Sequence, residues 1–220
     1  MWELNESPGS DIALITFGSF TNPGRTEPSY AFVNTVLRVK KSYGAAFDAY
    51  YLRARQNDWY FSGAQGFDSI EASLEKLQEL VGRYRRTMFL GNSMGGYAAM
   101  LFGLPLRTNA ILAFSPQTRF DLAFCDQIGE KRWREAYDEM RHAHDVDTMA
   151  LRYRWLRQVE AKIEVHYGID CSTDGEYAEQ LRELPGVSII AHDGCNHDLV
   201  HDLRKTGQLE QIIYENLANL

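Results

Sequence analysis

The pentapeptide Gly91-Asn92-Ser93-Met94-Gly95 places one hydroxyl between two glycines, at the point where the apolar run "TMFL" gives way to the small-residue stretch "GYAAML". A turn from strand to helix this sharp leaves no room for side chains at positions 91 and 95, so Gly91 and Gly95 are expected to be steric requirements. Ser93 is expected in a strained backbone conformation that holds its hydroxyl out over the end of the strand. The helix starting behind it has free N–H groups and a positive dipole end, where a negative charge on a carbonyl oxygen can be stabilised. By chance alone the G-x-S-x-G pattern turns up in on the order of one such chain in ten to fifteen. What gives it weight here is its strand-to-helix context.

A serine hydroxyl needs a base to take its proton. Of the six histidines, His197 lies in "DGCNHDLV", a Gly-containing loop just past the strand-like "VSIIAH", and is the expected base. His192 is expected on that strand, His166 within the preceding one, and His142 and His144 in a helical insertion. The base in turn needs a carboxylate to fix its tautomer. Asp170 follows "IEVHYG" at a strand end and is the preferred acid. Asp174 competes, but it precedes "GEYAEQL" and reads as a helix N-cap. Ser, Asp and His then follow one another in the chain order of the nucleophile-elbow enzymes.

These residues must be positioned by elements that the chain spells out in alternation. "IALITF" (Ile12–Phe17), "AAFDAYYLR" (Ala45–Arg53), "TMFLG", "NAILAF", "KIEVHYG" and "GVSIIAH" read as strands bounded by turn residues. Between Phe67 and Tyr84, apolar residues at 67, 70, 74, 77, 81 and 84 form one helical stripe, with Asp68 and Glu71 resembling a capping box at its start. "SMGGYAAMLFG", "DGEYAEQLREL" and "QLEQIIYENLANL" read as further helices, and "GSFTNPGRTEPSY" as a long loop. The expected architecture is an α/β doubly wound, mostly parallel sheet flanked by helices. In an open sheet of this kind ligands bind at the carboxyl ends of the strands. Residues 119–160 interrupt the alternation with charged, aromatic-studded helices, and are expected to be a lid inserted into a core formed by 1–118 and 161–220.

The elbow "GNSMGG", the acid after "IEVHYG" and the histidine of "GCNHD" together resemble the α/β-hydrolase superfamily, and "SMGGYAA" is similar to its small bacterial esterase-like and thioesterase-like members. The resemblance spans nearly the whole chain through its pattern of elements. It implies a serine hydrolase that cleaves a carboxylic ester or thioester through an acyl-enzyme, without a cofactor. It also implies a second oxyanion donor in the loop after an early strand, where the family commonly has His-Gly-x. The matching stretch here is Phe17-Gly18-Ser19-Phe20. By that match the backbone N–H groups of Ser19 and Met94 form the oxyanion hole, with Gly18 or Phe20 as alternatives.

Composition narrows the other classes. The 220 residues are 45% hydrophobic and 24% charged, and the net charge of −7 gives no basic excess for binding nucleic acid. Three well-separated cysteines without a CxxC suit free thiols in a reducing compartment. "MWELNESPGSD" lacks a basic stretch followed by an apolar one, and no run approaches the ~18 apolar residues of a membrane helix. A cytoplasmic protein acting on a small-molecule substrate is expected, its oligomeric state left open.

Rival readings attach to the same residues. His192, Asp193, Cys195, His197 and His201 crowd one segment, but their spacing fits zinc patterns poorly, and no metal is expected there. The aromatics of the insertion suit a core-facing stripe better than a substrate platform, and "NDWYFSG" (57–63) reads equally as pocket or packing. A hydrolase scaffold kept for binding alone is the remaining alternative.

Overall fold

A computed structural model describes residues 3–7, 9–21, 30–144 and 161–220. Its centre is a seven-stranded sheet in the order β1-β3-β2-β4-β5-β6-β7. The strands are β1 (Glu3–Asn5), β2 (Ile12–Phe17), β3 (Asp48–Leu52), β4 (Arg86–Asn92), β5 (Ala110–Phe114), β6 (Lys162–Gly168) and β7 (Val187–His192). Only β1 runs antiparallel, at the edge beside β3. The central strands are near-continuous apolar runs because both faces are covered. In β2, Ala13, Ile15 and Phe17 enter one core and Leu14 the other.

Eight helices are found among the described residues: α1 (Val33–Tyr43), α2 (Ile70–Val81), α3 (Met94–Gly103), α4 (Leu122–Ile128), α5 (Arg134–Ala143), α6 (Ser172–Glu179), α7 (Leu199–Thr206) and α8 (Gln208–Ala218). Buried residues of α2, α3, α5 and α6 join the core on one face, and those of α1, α7 and α8 the core on the other. The doubly wound, mostly parallel sheet expected from the alternation is the observed one.

Several local expectations need correction. The cap of α2 is Ser69, whose hydroxyl accepts from the Ala72 N–H at 3.1 Å, and not Asp68. Helix α6 begins at Ser172, two residues ahead of the expected start, with Cys171 at its N-cap. Asp174 is therefore the third residue inside the helix and caps nothing. Strand β1 and helices α1 and α7 add to the expected set. Both helices end at a left-handed glycine, Gly44 and Gly207. Between β5 and β6 lie α4 and α5, the described part of the expected insertion; 145–160, with Tyr153 and Trp155, and 22–29 of the expected long loop fall outside the described residues.

Register brings the functional ends together. Phe17 pairs with Gly91, Asn92 with Phe114, Phe114 with His166 and Gly168 with His192, so the carboxyl ends of five parallel strands share one edge.

Candidate active site

Ser93 links β4 to α3 with φ 52° and ψ −122°, a conformation that L-residues adopt only under constraint. The constraint comes from crowding. A Cβ on Gly91 would lie 1.9 Å from the Gly95 carbonyl oxygen, and one on Gly95 would lie 2.3 Å from that of Phe17. The glycines thus let the first turn of α3 press against both β4 and the end of β2. The Ser93 N–H donates to Phe114 O at 2.8 Å, which locks the turn to β5.

At this edge the Ser93 hydroxyl lies 3.1 Å from His197 Nε2, and His197 Nδ1 lies 2.7 Å from Asp174 Oδ2. A carboxylate only accepts, so Nδ1 carries the imidazole proton and Nε2 is left with the lone pair facing Ser93. Ser93 and Asp174 are buried, while His197 is partly exposed. Ser93 and His197 are brought together as expected from their strand ends, but Asp170 does not join them. Its backbone N–H donates to Cys195 O and the residue is exposed. The carboxylate at the histidine is one helical turn further on, at Asp174.

Asp174 is held from its other side by Arg132, whose Nη2 donates to Oδ1 at 2.9 Å. The same guanidinium pairs with the buried carboxylate of Glu130, and donates to Thr173 Oγ1 and Cys171 Sγ. Burial, the largest single influence, pushes the Asp174 carboxyl upward. The hydrogen bond from His197, and after it the charge and hydrogen bond of Arg132, outweigh it and hold the group below the usual carboxylate range.

Gln117 is a second neighbour that sequence reasoning did not find. Its Oε1 accepts from Trp59 Nε1 at 3.0 Å and its Nε2 donates to Ser115 O at 3.2 Å. An indole N–H only donates and a carbonyl only accepts, so the orientation of this amide is forced. Its oxygen then stands 3.3 Å from Ser93 Oγ, as an alternative acceptor for the same hydroxyl proton. Trp59 and Tyr60 of the 57–63 segment are buried in the core, and the Tyr60 hydroxyl donates to Gly18 O at 3.0 Å.

The loop after β2 lies alongside. The Ser19 hydroxyl donates to Asn92 O at 2.8 Å, tying this loop to the elbow. The Gly18 N–H is taken by Leu52 O at 2.8 Å. Among the described residues the N–H groups of Ser19 and Met94 have no acceptor. Trp133 packs at 4.8 Å from Phe20 and 6.0 Å from His197 between ring centroids. The five residues His192, Asp193, Cys195, His197 and His201 do not gather. His192 Nε2 instead bonds His166 Nδ1 at 2.9 Å, two strands' ends away from the elbow.

No family model and no curated protein sequence matches the chain significantly. Solved structures do match its fold along almost its full length. A capsule O-acetyltransferase of Neisseria meningitidis serogroup A superposes with a TM-score of 0.62 at 14% identity, covering 96% of this chain and 90% of that one. A monoacylglycerol lipase of Paleococcus ferrophilus gives 0.60 at 15% identity, covering 100% and 98%. An alpha/beta hydrolase enzyme from a sediment metagenome of the lagoon of Mar Chica, Morocco, gives 0.57 at 16%, covering 98% and 94%. No helix among the described residues is long and apolar enough to cross a membrane. The chain has the α/β-hydrolase fold.

Proposed function

We propose that this protein is a serine hydrolase that cleaves a carboxylic ester or thioester. The observation carrying this reading is the unbroken hydrogen-bonded chain from Ser93 through His197 to Asp174. In the proposed reaction Ser93 Oγ attacks the acyl carbonyl carbon while its proton passes to His197 Nε2. The oxyanion is held by the N–H groups of Ser19 and Met94. Collapse expels the alcohol or thiol, which takes the proton from Nε2, and leaves an acyl group on Ser93. Water then attacks the acyl carbon, giving a proton to His197, and the acid departs as Ser93 regains it. Asp174 keeps Nδ1 protonated and stabilises the imidazolium throughout. The described part of the insertion, α4 and α5, serves as a cap, with Trp133 against the substrate.

The fold alone also hosts transfer, as the capsule O-acetyltransferase illustrates. The same acyl-enzyme would then be discharged by an alcohol in place of water. Intact-mass labelling with a fluorophosphonate tests the shared first step. One adduct on the wild type and none on Ser93→Ala supports the reading. An unlabelled, folded wild type overturns it in favour of a binding protein on a hydrolase scaffold. Product analysis with an added acceptor alcohol then separates hydrolysis from transfer.

A further inference from the structure

Cys171 Sγ, a carboxylate oxygen of Asp174 and a ring nitrogen of His197 lie within 4.8 Å of one another, and among the described residues no other group of His, Cys, Asp and Glu side chains gathers so closely. The ester-cleaving mechanism uses two of the three and leaves the thiol without a task. We propose that these residues form an inhibitory site for a thiophilic divalent cation, with Zn2+ as the best fit. This rests on the reading of His197 as the base of Ser93.

Thiolate, imidazole and carboxylate are the donors zinc prefers, at roughly 2.3, 2.0–2.1 and 2.0–2.2 Å, with water completing a tetrahedron. The 2.7 Å between His197 Nδ1 and Asp174 Oδ2 must open by about 0.7 Å to straddle an ion at those bond lengths and a tetrahedral angle, a side-chain adjustment. The Cys171 Sγ already accepts a hydrogen bond from Arg132 Nη1 at 3.3 Å, so the sulfur is turned toward the Asp174 carboxylate that the same guanidinium binds. Arg132 repels a cation, but the local charge balances. Cys171 as thiolate, Asp174 and the buried Glu130 supply three negative charges against Arg132 and a dication.

Binding releases the thiol proton to solvent, and the imidazole proton moves from Nδ1, now on the metal, to Nε2. A protonated Nε2 cannot accept the Ser93 proton, so the nucleophile loses its base. The metal thereby switches the enzyme off through the tautomer of one histidine and leaves Ser93 in place.

Cobalt(II) as a spectroscopic probe and zinc chloride as inhibitor test this on the full chain, under a non-chelating reductant. Cys171 is the N-cap of α6, a position where serine is favoured, so Cys171→Ser should fold and keep fluorophosphonate labelling. We expect a near-ultraviolet thiolate-to-cobalt band in the wild type and in Cys195→Ser, and none in Cys171→Ser. Zinc should block labelling of the wild type, reversibly with a chelator. In Cys171→Ser the zinc needed should rise at least about tenfold, the lower bound for weakening a metal's surroundings. No thiolate band, or equal zinc sensitivity in Cys171→Ser, overturns the proposal. Absence of labelling without any metal counts against Ser93 as nucleophile, and the cobalt spectrum still decides the site.

Discussion

Asp174 Oδ2 accepts a hydrogen bond from His197 Nδ1 at 2.7 Å, whereas Asp170, at the strand end four residues earlier, is exposed to solvent. The two aspartates are therefore separable by one pair of isosteric changes. Asp174→Asn leaves the shape intact but lets the amide donate, which favours the tautomer with Nε2 protonated. In a chymotrypsin-like triad that change lowers kcat about 10⁴-fold. A comparable loss is expected here for Asp174→Asn in ester turnover, and a change within about twofold for Asp170→Asn, on the ordinary behaviour of exposed residues. The reverse ranking would restore Asp170 as the acid.

Why the sequence favoured Asp170, when Asp174 is the carboxylate bonded to His197, is a matter of where one helix begins. Asp174 before "GEYAEQL" has the composition of an N-cap, and Asp170 has the position of a strand-end acid. The helix instead starts at Ser172, with Cys171 as its cap, which turns Asp174 inward as the third helical residue. Helix ends of this kind are not fixed by local propensity, and the contact that Asp174 makes here is with Arg132, far away in sequence. Ser93, Gly91 and Gly95 were legible because the elbow's demands are local and steric. His197 was legible because it follows a well-marked strand. Arg132 and Gln117 were not, since their partners lie 42 and 24 residues away in sequence.

Arg132 stands between two buried carboxylates, Glu130 and Asp174. Removing its charge by Arg132→Met leaves both without their shared partner and lets the Asp174 carboxyl rise. Breaking such a pair from one side costs about 3 kcal/mol, the low end of the usual range because Arg132 is itself partly exposed. Urea unfolding should register that loss. Adding Glu130→Gln should recover part of it, by relieving one of the two stranded charges. A double variant no more stable than Arg132→Met would assign Arg132 a packing role instead.

Gly95 sets the spacing between α3 and the loop after β2. In Gly95→Ala the new methyl would meet Phe17 O at 2.3 Å and Gly18 O at 3.0 Å, both backbone atoms. Relief requires the start of α3 to back away, which separates the Met94 N–H from that of Ser19. Loss of one oxyanion donor costs about 10²–10³ in kcat in subtilisin. Fluorophosphonate labelling of Gly95→Ala should slow by about 100-fold, with Ser93 still the residue modified. Labelling at the wild-type rate would remove Ser19 or Met94 from the oxyanion role.

Glu164 carries a prediction about stability that is independent of the reaction. It sits on β6 among His166, Lys162 and Asn216, with its Oε2 accepting from Asn216 Nδ2 at 2.8 Å and its Oε1 2.8 Å from Lys162 Nζ. The hydrogen bond with His166 is the main cause of its lowered carboxyl, followed by burial, which opposes the shift, and by the bonds from Lys162 and Asn216; the result is a pKa of about 2. A carboxyl depressed on folding stabilises the native state fully above its unfolded pKa, near 4.5, and loses that contribution as the pH falls through the folded value. The shift corresponds to on the order of 3 kcal/mol, an upper figure for this partly buried group. Glu164→Gln should therefore be less stable than wild type by up to about that amount at pH 7. The gap should close progressively below about pH 4.5, followed by urea midpoints at each pH. A gap that stays constant down to pH 3 would mean that the charge of Glu164 contributes nothing and that only its shape matters.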